Sequence, residues 1–194
     1  MDKLTREDLF TLEDYAQKRA EFRSKLLAHK RLRQLALGPH VTLYFEDRLT
    51  VHYQIQEMLR AERIFEPSAI EEELEAYNPL IPDGENLKAT MMLEYENASD
   101  RRLALTQLVG VEDTVWISVH GHGRAETFAD EDMQRSREEK TSAVHFLRFE
   151  LGTQAAASFK AGAGLSAGVS HRNYTFSVEV VNNETRACLA NDVD

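Results

Sequence analysis

The sequence predicts an α+β fold: N-terminal helices packed on a largely antiparallel C-terminal β-sheet that closes as a small barrel or sandwich. Three observations lead there. Apolar residues recur at helical spacing from Leu12 to Tyr77, and helix-start signals interrupt them. From Leu87 onward the apolar pattern switches to period two. With 42% hydrophobic and 29% charged residues in 194, nine Gly and four Pro, the chain has the composition of a folded protein with a core. The switch divides it into a mainly helical half, residues 1–84, and a mainly β half, residues 85–194, expected to pack as one compact unit.

Charge narrows the range of partners. Lys plus Arg number 23 against 33 Asp plus Glu, a net charge of -10 that excludes a broadly basic nucleic-acid coat. Residues 1–40 nevertheless hold nine basic and six acidic side chains, so the acidic excess lies beyond them. The segment from Met1 to Asp8 lacks the apolar stretch of a signal peptide, and no window reaches the roughly 18 apolar residues of a membrane span. A cytoplasmic protein with no nucleic-acid or membrane partner is therefore expected. Cys188 is the single cysteine, so neither an internal disulfide nor a multi-cysteine zinc site is available.

The elements follow in order. Thr5 with Asp8 and Thr11 with Asp14 fit the pattern that satisfies free amides at a helix start, and a long helix is predicted from Leu12. Its apolar face carries Leu12, Tyr15, Ala16, Phe22, Leu26 and Leu27, with Arg19 and Arg23 inside the stripe. The basic run from His29 to Arg33 suits a helix C-terminus facing the acidic run Glu71–Glu75, the alternative being an anionic ligand. Gly38-Pro39 is expected to end this helix and to precede a strand over Val41–Phe45. A second helix starts near Asp47 or Thr50, with Val51, Ile55, Met58 and Leu59 as its apolar face. Glu62 projects at the centre of that face, where a carboxylate needs a partner; Arg19 or Arg23 is the candidate. Pro67 opens a third helix, to Tyr77, and Asn78–Gly84 reads as a turn.

Strands are then expected at Leu87–Tyr95, Thr114–His120, Arg124–Phe128, Ser142–Leu151, Gly164–Ser170 and Tyr174–Val181. Short helices are expected at Leu103–Leu108 and Ala155–Lys160, the latter closed by Gly162 or Gly164. Residues 130–140 mix charges without an apolar face and read as an exposed connector, or as a segment that closes over a pocket.

One run could hold a metal. In His120-Gly121-His122-Gly123-Arg124-Ala125-Glu126, His-x-His on a strand puts two imidazoles on one side, and Glu126 returns within reach. The spacing resembles the first metal motif of the cupins, although Thr114 and Met133 stand where that motif has glycine. A metal here requires His145 or His171 to arrive through folding. The plainer reading is a Gly-rich turn with exposed histidines. The glycines of 162–168 precede a strand without the Lys or helix start of a phosphate loop.

The string Gln54-Ile55-Gln56-Glu57-Met58-Leu59-Arg60-Ala61-Glu62 is more specific. Together with Ala36–Pro39, Phe45-Glu46, Glu73–Asn78, Leu87–Thr90, Leu108–Gly110 and Ser142–Phe149, it resembles a bacterial family of uncharacterised proteins, domain of unknown function 3501. The resemblance runs over nearly the whole chain. Members of that family are often encoded beside rubrerythrin-like and iron–sulfur oxidoreductase-like proteins, so the resemblance implies a redox or peroxide-stress setting and a partner of that kind. Gln54, Glu57, Arg60, Glu62 and Arg63 mix charge and amide in a way that a plain amphipathic helix does not require. The expected function is an accessory or interaction protein, self-associating as a homo-oligomer, with this helix at a binding surface. The alternatives are a metal-dependent, cupin-like oxidoreductase using His120, His122, Glu126 and His145, and a small-anion binder using Arg19, Arg23 and Arg60.

Overall fold

Burial alternates residue by residue along the strands Val41–Phe45, Val115–Val119 and Val144–Glu150, and it explains how the sheets stack. The computed structural model describes residues 1–137 and 139–194. In chain order the elements are α1 (Leu12–Arg31), β1 (Gln34–Ala36), β2 (Val41–Phe45), α2 (Arg48–Glu62), α3 (Pro67–Tyr77), β3 (Asn86–Leu93), α4 (Ala98–Gln107) and β4 (Val115–Val119). They continue with β5 (Glu126–Ala129), β6 (Val144–Glu150), α5 (Gly152–Lys160), β7 (Leu165–His171), β8 (Tyr174–Val178) and α6 (Asn183–Leu189). Five strands pair in the order β1-β2-β3-β6-β5 and three in the order β4-β7-β8, all antiparallel. The fold is α+β as predicted, and neither sheet closes into a barrel.

Val41, Leu43 and Phe45 of β2, Leu87, Ala89 and Met91 of β3, and Leu147 and Phe149 of β6 share one core with Val115, Ile117, Val119, Leu165, Ala167 and Val169 of the second sheet. Phe159 of α5 and Leu189 of α6 complete it. Period-two alternation sends every second residue of these strands inward, and burying each large side chain contributes roughly 1.5–3 kcal/mol. A second, smaller core gathers Leu4, Val51, Ile55, Leu59, Leu74 and Ile81, where α2 packs on α3.

The outer face of the five-stranded sheet belongs to neither core. Its residues, Thr42 and Tyr44 of β2, Lys88, Thr90 and Met92 of β3, and Val144, Phe146 and Arg148 of β6, are half-buried.

The capping signals act where the sequence places them. The Thr11 hydroxyl accepts from the Asp14 N–H at 3.1 Å to start α1. Asp47 and Thr50 form a reciprocal capping box that starts α2. Thr5 and Asp8 also form a box, but it opens only a short 3-10 turn, Arg6–Asp8.

Three expectations about packing are corrected. Glu62 is not in the apolar face of α2: it is the last residue of the helix and exposed, because Arg63 turns left-handed at φ 54° and ends the helix there. Arg23 is likewise exposed; Tyr15 and Leu26 are the residues that α1 buries. The basic run at the end of α1 does not meet Glu71–Glu75. Arg33 turns inward to Asp192 and Asp47, and His29 bonds Asp47 at 2.5 Å. Among the described residues, no helix is long and apolar enough to cross a membrane.

Candidate functional site: a cleft between the helices and the sheet

The half-exposed sheet face forms the floor of a cleft whose opposite wall is α2, α3 and the turn after α3. Two adjoining cavities make it up, of about 340 and 650 Å³, and both are lined by Gln54, Tyr77 and Phe146. Each is of a size that holds a small ligand. The larger carries Tyr44, Met58, Met92 and Val144 as apolar surface, and the smaller carries Pro79, Leu80 and Leu147.

Two charged side chains on this floor lack counter-ions. Glu46 continues β2 by one residue, and its N–H donates to the Lys88 carbonyl at 2.8 Å, so the two are cross-strand neighbours. They do not bond each other through their side chains. Glu46 is 4% exposed, and its carboxylate accepts from the Thr50 hydroxyl at 2.5 Å and the Thr90 hydroxyl at 2.7 Å. The Lys88 ammonium donates the other way, to the Pro79 carbonyl at 2.7 Å and the Ile81 carbonyl at 3.0 Å. Among the described residues, no ion pair within 4.0 Å involves either group. Burial holds the Lys88 ammonium below the usual lysine range, with Asp83 pulling the other way. Arg148 stands directly across from Lys88 in the β3–β6 register, a like-charge juxtaposition, but is itself neutralised by Glu131 at 2.8 Å and Glu150 at 2.5 Å.

The rim is built by the segment after β5. Glu131, Asp132 and Arg135 line the smaller cavity; Glu131 and Asp132 are exposed, as the connector was expected to be, and Arg135 is half-buried. A buried network holds the segment. Asp130, at φ 51°, places one carboxylate oxygen 2.6 Å from Nδ1 of His145 and the other 2.9 Å from the Phe146 N–H. Nε2 of His145 lies 2.8 Å from the Thr141 hydroxyl, and Glu112 accepts from Ser136 beside it.

A family model for proteins of unknown function (DUF3501) matches residues 3–193, which include both walls of the cleft. The chain belongs to that family. A crystal structure of a novel protein of unknown function from Burkholderia pseudomallei K96243 is similar over 100% of both chains, with 49% identity and a TM-score of 0.94. Among curated proteins, none matches. Membership in the DUF3501 family agrees with the resemblance carried by the α2 string, and it makes the cleft part of the family unit.

In this DUF3501 fold the residues singled out from sequence separate into groups. Gln54, Glu57, Arg60 and Glu62 line the larger cavity. Glu57 also ties α1 down: Arg19 donates to it at 2.7 and 2.8 Å, and the Tyr15 hydroxyl donates at 2.7 Å. Arg19, chiefly, holds the Glu57 carboxyl down to about 2. The partner of Arg19 is thus Glu57, one turn and a half before Glu62. Arg23 and Arg63 are exposed.

The histidines go elsewhere. His120 reaches the Glu179 carbonyl at 3.2 Å, and His122 reaches the Ser158 hydroxyl at 2.9 Å. Glu126 is exposed on β5 and registers with Glu150. His145 lies on the inner face of β6, opposite Met91, with Glu112 and Asp130 as its acidic neighbours. Its two ring nitrogens face different carboxylates, Asp130 at 2.6 Å and Glu112 at 3.9 Å, and the Thr141 hydroxyl fills the space beside Nε2. The ring bonds Asp130 directly and meets Glu112 only through the Thr141 hydroxyl, 3.3 Å from that carboxylate, and this network ties the loop to β6.

Sequence reasoning met Glu46, Lys88, Phe146 and Tyr77 within the segments that carry the family resemblance and did not assign them to a site. The period-two pattern does mark Thr42, Tyr44, Lys88 and Thr90 as the non-core side of their strands. That they form a floor follows only from where α2 and α3 lie.

Proposed function

We propose that this protein is a non-catalytic accessory protein that binds a small ligand in the cleft between α2–α3 and the outer sheet face. The observation that carries this reading is the floor itself: an amphipathic sheet surface left open beneath two helices, with a carboxylate and an ammonium that the described residues do not neutralise. Desolvating charge without compensation costs stability, and such a cost is characteristic of a surface shaped for something other than folding. The redox or peroxide-stress setting implied by the family resemblance supplies the system that such an accessory protein would serve.

A reporter dye with an anionic head and an aromatic body tests the cleft. The parent should bind it, and Gln54→Trp, which fills the junction of the two cavities, should abolish binding while preserving the melting temperature. Equal binding by the variant would remove the cleft from the reading. For the redox setting, an iron–sulfur or rubrerythrin-like protein should be captured from native lysate by the parent and lost with Gln54→Trp.

A further inference from the structure

The proposed cleft admits a sharper statement about what it takes, and that statement rests on the binding reading above. We infer that the ligand is a zwitterion whose ammonium and carboxylate stand several bonds apart, the chemistry of an ω-amino acid or a dipeptide, with its ammonium at Glu46 and its carboxylate at Lys88.

The argument begins with cross-strand geometry. Opposite charges facing each other on one side of an antiparallel pair normally bond, because their Cβ atoms stand about 5 Å apart. Glu46 and Lys88 occupy such neighbouring positions and diverge. The carboxylate is held by Thr50 and by Thr90, which lines the larger cavity with it, and the ammonium by the Ile81 carbonyl and that of Pro79, which lines the smaller one with it. Each group is thus oriented by neutral partners. Those partners fix where a charge points without cancelling it, so each group remains able to attract an opposite charge.

Glu46 lines only the larger cavity and Lys88 only the smaller, so a ligand confined to one of the two cavities does not meet both charges. A ligand with an intervening chain can meet both. That chain would lie over the surface shared by the two cavities, on the Phe146 ring with Gln54 and Tyr77 above it. An amide in the chain, as in a dipeptide, has Gln54 available as donor and acceptor. The other charges near Lys88 do not replace the ligand. Arg148 is committed to Glu131 and Glu150, and Asp83 and Glu131 act on Lys88 only at longer range.

Titration calorimetry with 6-aminohexanoate, hexylamine, hexanoate and an alanyl-leucine dipeptide decides the matter. One or both zwitterions should bind at least tenfold tighter than either half-ligand. Glu46→Gln should reduce the zwitterion to the affinity of hexanoate, and Lys88→Gln should reduce it to that of hexylamine. Glu46→Asp, which keeps the charge on a shorter arm, should lie between parent and Glu46→Gln, and melting curves confirm that each variant is folded. Zwitterions that bind no tighter than the better half-ligand, or that are indifferent to Glu46→Gln, would overturn the inference. If the reporter dye still binds the parent and fails on Gln54→Trp, the cleft stands as a binding site and only the zwitterion falls. If the dye fails on the parent as well, the binding reading falls with it.

Discussion

Arg33 and Asp192, 159 residues apart in the chain, form a buried ion pair that joins the end of α1 to the turn after α6. Nη1 of Arg33 donates to Oδ1 of Asp192 at 3.1 Å, its second terminal nitrogen donates to Oδ2, and Nε and Nη2 satisfy the Phe45 and Glu46 carbonyls, each at 3.0 Å. The same guanidinium serves Asp47 at 3.4 Å. One cation therefore answers two buried carboxylates at the base of β2, directly behind Glu46.

This arrangement fixes a pH response. Burial first, and repulsion from Asp47 in addition, raise the Asp192 carboxyl to about 6. A carboxyl whose folded value lies above its unfolded value binds its proton more tightly in the native state, so its stabilising contribution is full below about 4 and is lost as the pH rises through 6. Thermal melts of the parent and Asp192→Asn between pH 4 and 7 should show a fall in stability with rising pH in the parent that the variant lacks. Asp192→Ala, which leaves part of a buried guanidinium unpaired, should cost about 3 kcal/mol at neutral pH. Parallel pH profiles for the parent and Asp192→Asn would refute the assignment.

Glu57 has the opposite sign. Its folded value lies below the ordinary carboxylate, chiefly through Arg19, so its contribution is present above about 4.5 and disappears as the pH falls toward 2. Because α1 buries only Tyr15 and Leu26, the bonds from Tyr15 and Arg19 to Glu57 are a large share of what holds that helix. Glu57→Gln should accelerate amide exchange along α1 while leaving the strands of the main core protected. Uniform acceleration across the protein would mean that α1 does not open separately.

Which of these features the sequence displays depends on how local their cause is. Thr11, Asp47 and Pro67 act within three residues of themselves, and the starts of α1, α2 and α3 were readable for that reason. Strands with one buried face were readable from alternation. The three-residue β1 was not, since it exists through its pairing with β2 and lies where the first helix was expected to run on to Gly38-Pro39, and α6, Asn183–Leu189, lies beyond the last predicted strand in a segment for which no element was expected. The choice between Glu57 and Glu62 as the partner of Arg19 depends on how α1 crosses α2, and a helical wheel holds no information about that crossing. The cleft is of the same kind: Glu46 and Lys88 each look like ordinary strand-end or surface charges until the sheet sets them side by side and α2–α3 cover them.

The rim of the cleft can be released without touching its floor. Asp130 accepts from the Phe146 N–H and bonds His145, and it holds a left-handed backbone conformation that a non-glycine residue rarely adopts. Loss of the ring in His145→Ala takes one hydrogen-bond partner from Asp130 and one from Thr141, at a cost of about 1–3 kcal/mol. Limited proteolysis should then cut within residues 131–137 faster than in the parent. Unchanged cleavage would show that the segment does not depend on the His145 ring.

The second sheet carries its own test. Trp116, the single tryptophan, lies across Gly168 of the neighbouring strand, its Nε1 donating to the Ser170 hydroxyl at 3.0 Å and the Arg124 guanidinium over its ring at 4.1 Å. A Cβ at Gly168 would stand 2.5 Å from the indole and 2.7 Å from the Phe176 carbonyl oxygen. The indole could tilt, but the carbonyl belongs to β8, which pairs with β7 at that register and can move only by distorting the ladder. Gly168→Ala should therefore cost about 1–3 kcal/mol, lowering the melting temperature by roughly 2–4 °C per kcal/mol, and should red-shift Trp116 emission as the ring lifts toward water. Adding Trp116→Ala should recover only part of the loss, because the clash with the Phe176 carbonyl persists. Full recovery would assign the whole penalty to the indole, and an unchanged melt in Gly168→Ala would mean that the sheet is loose enough there to admit the methyl group.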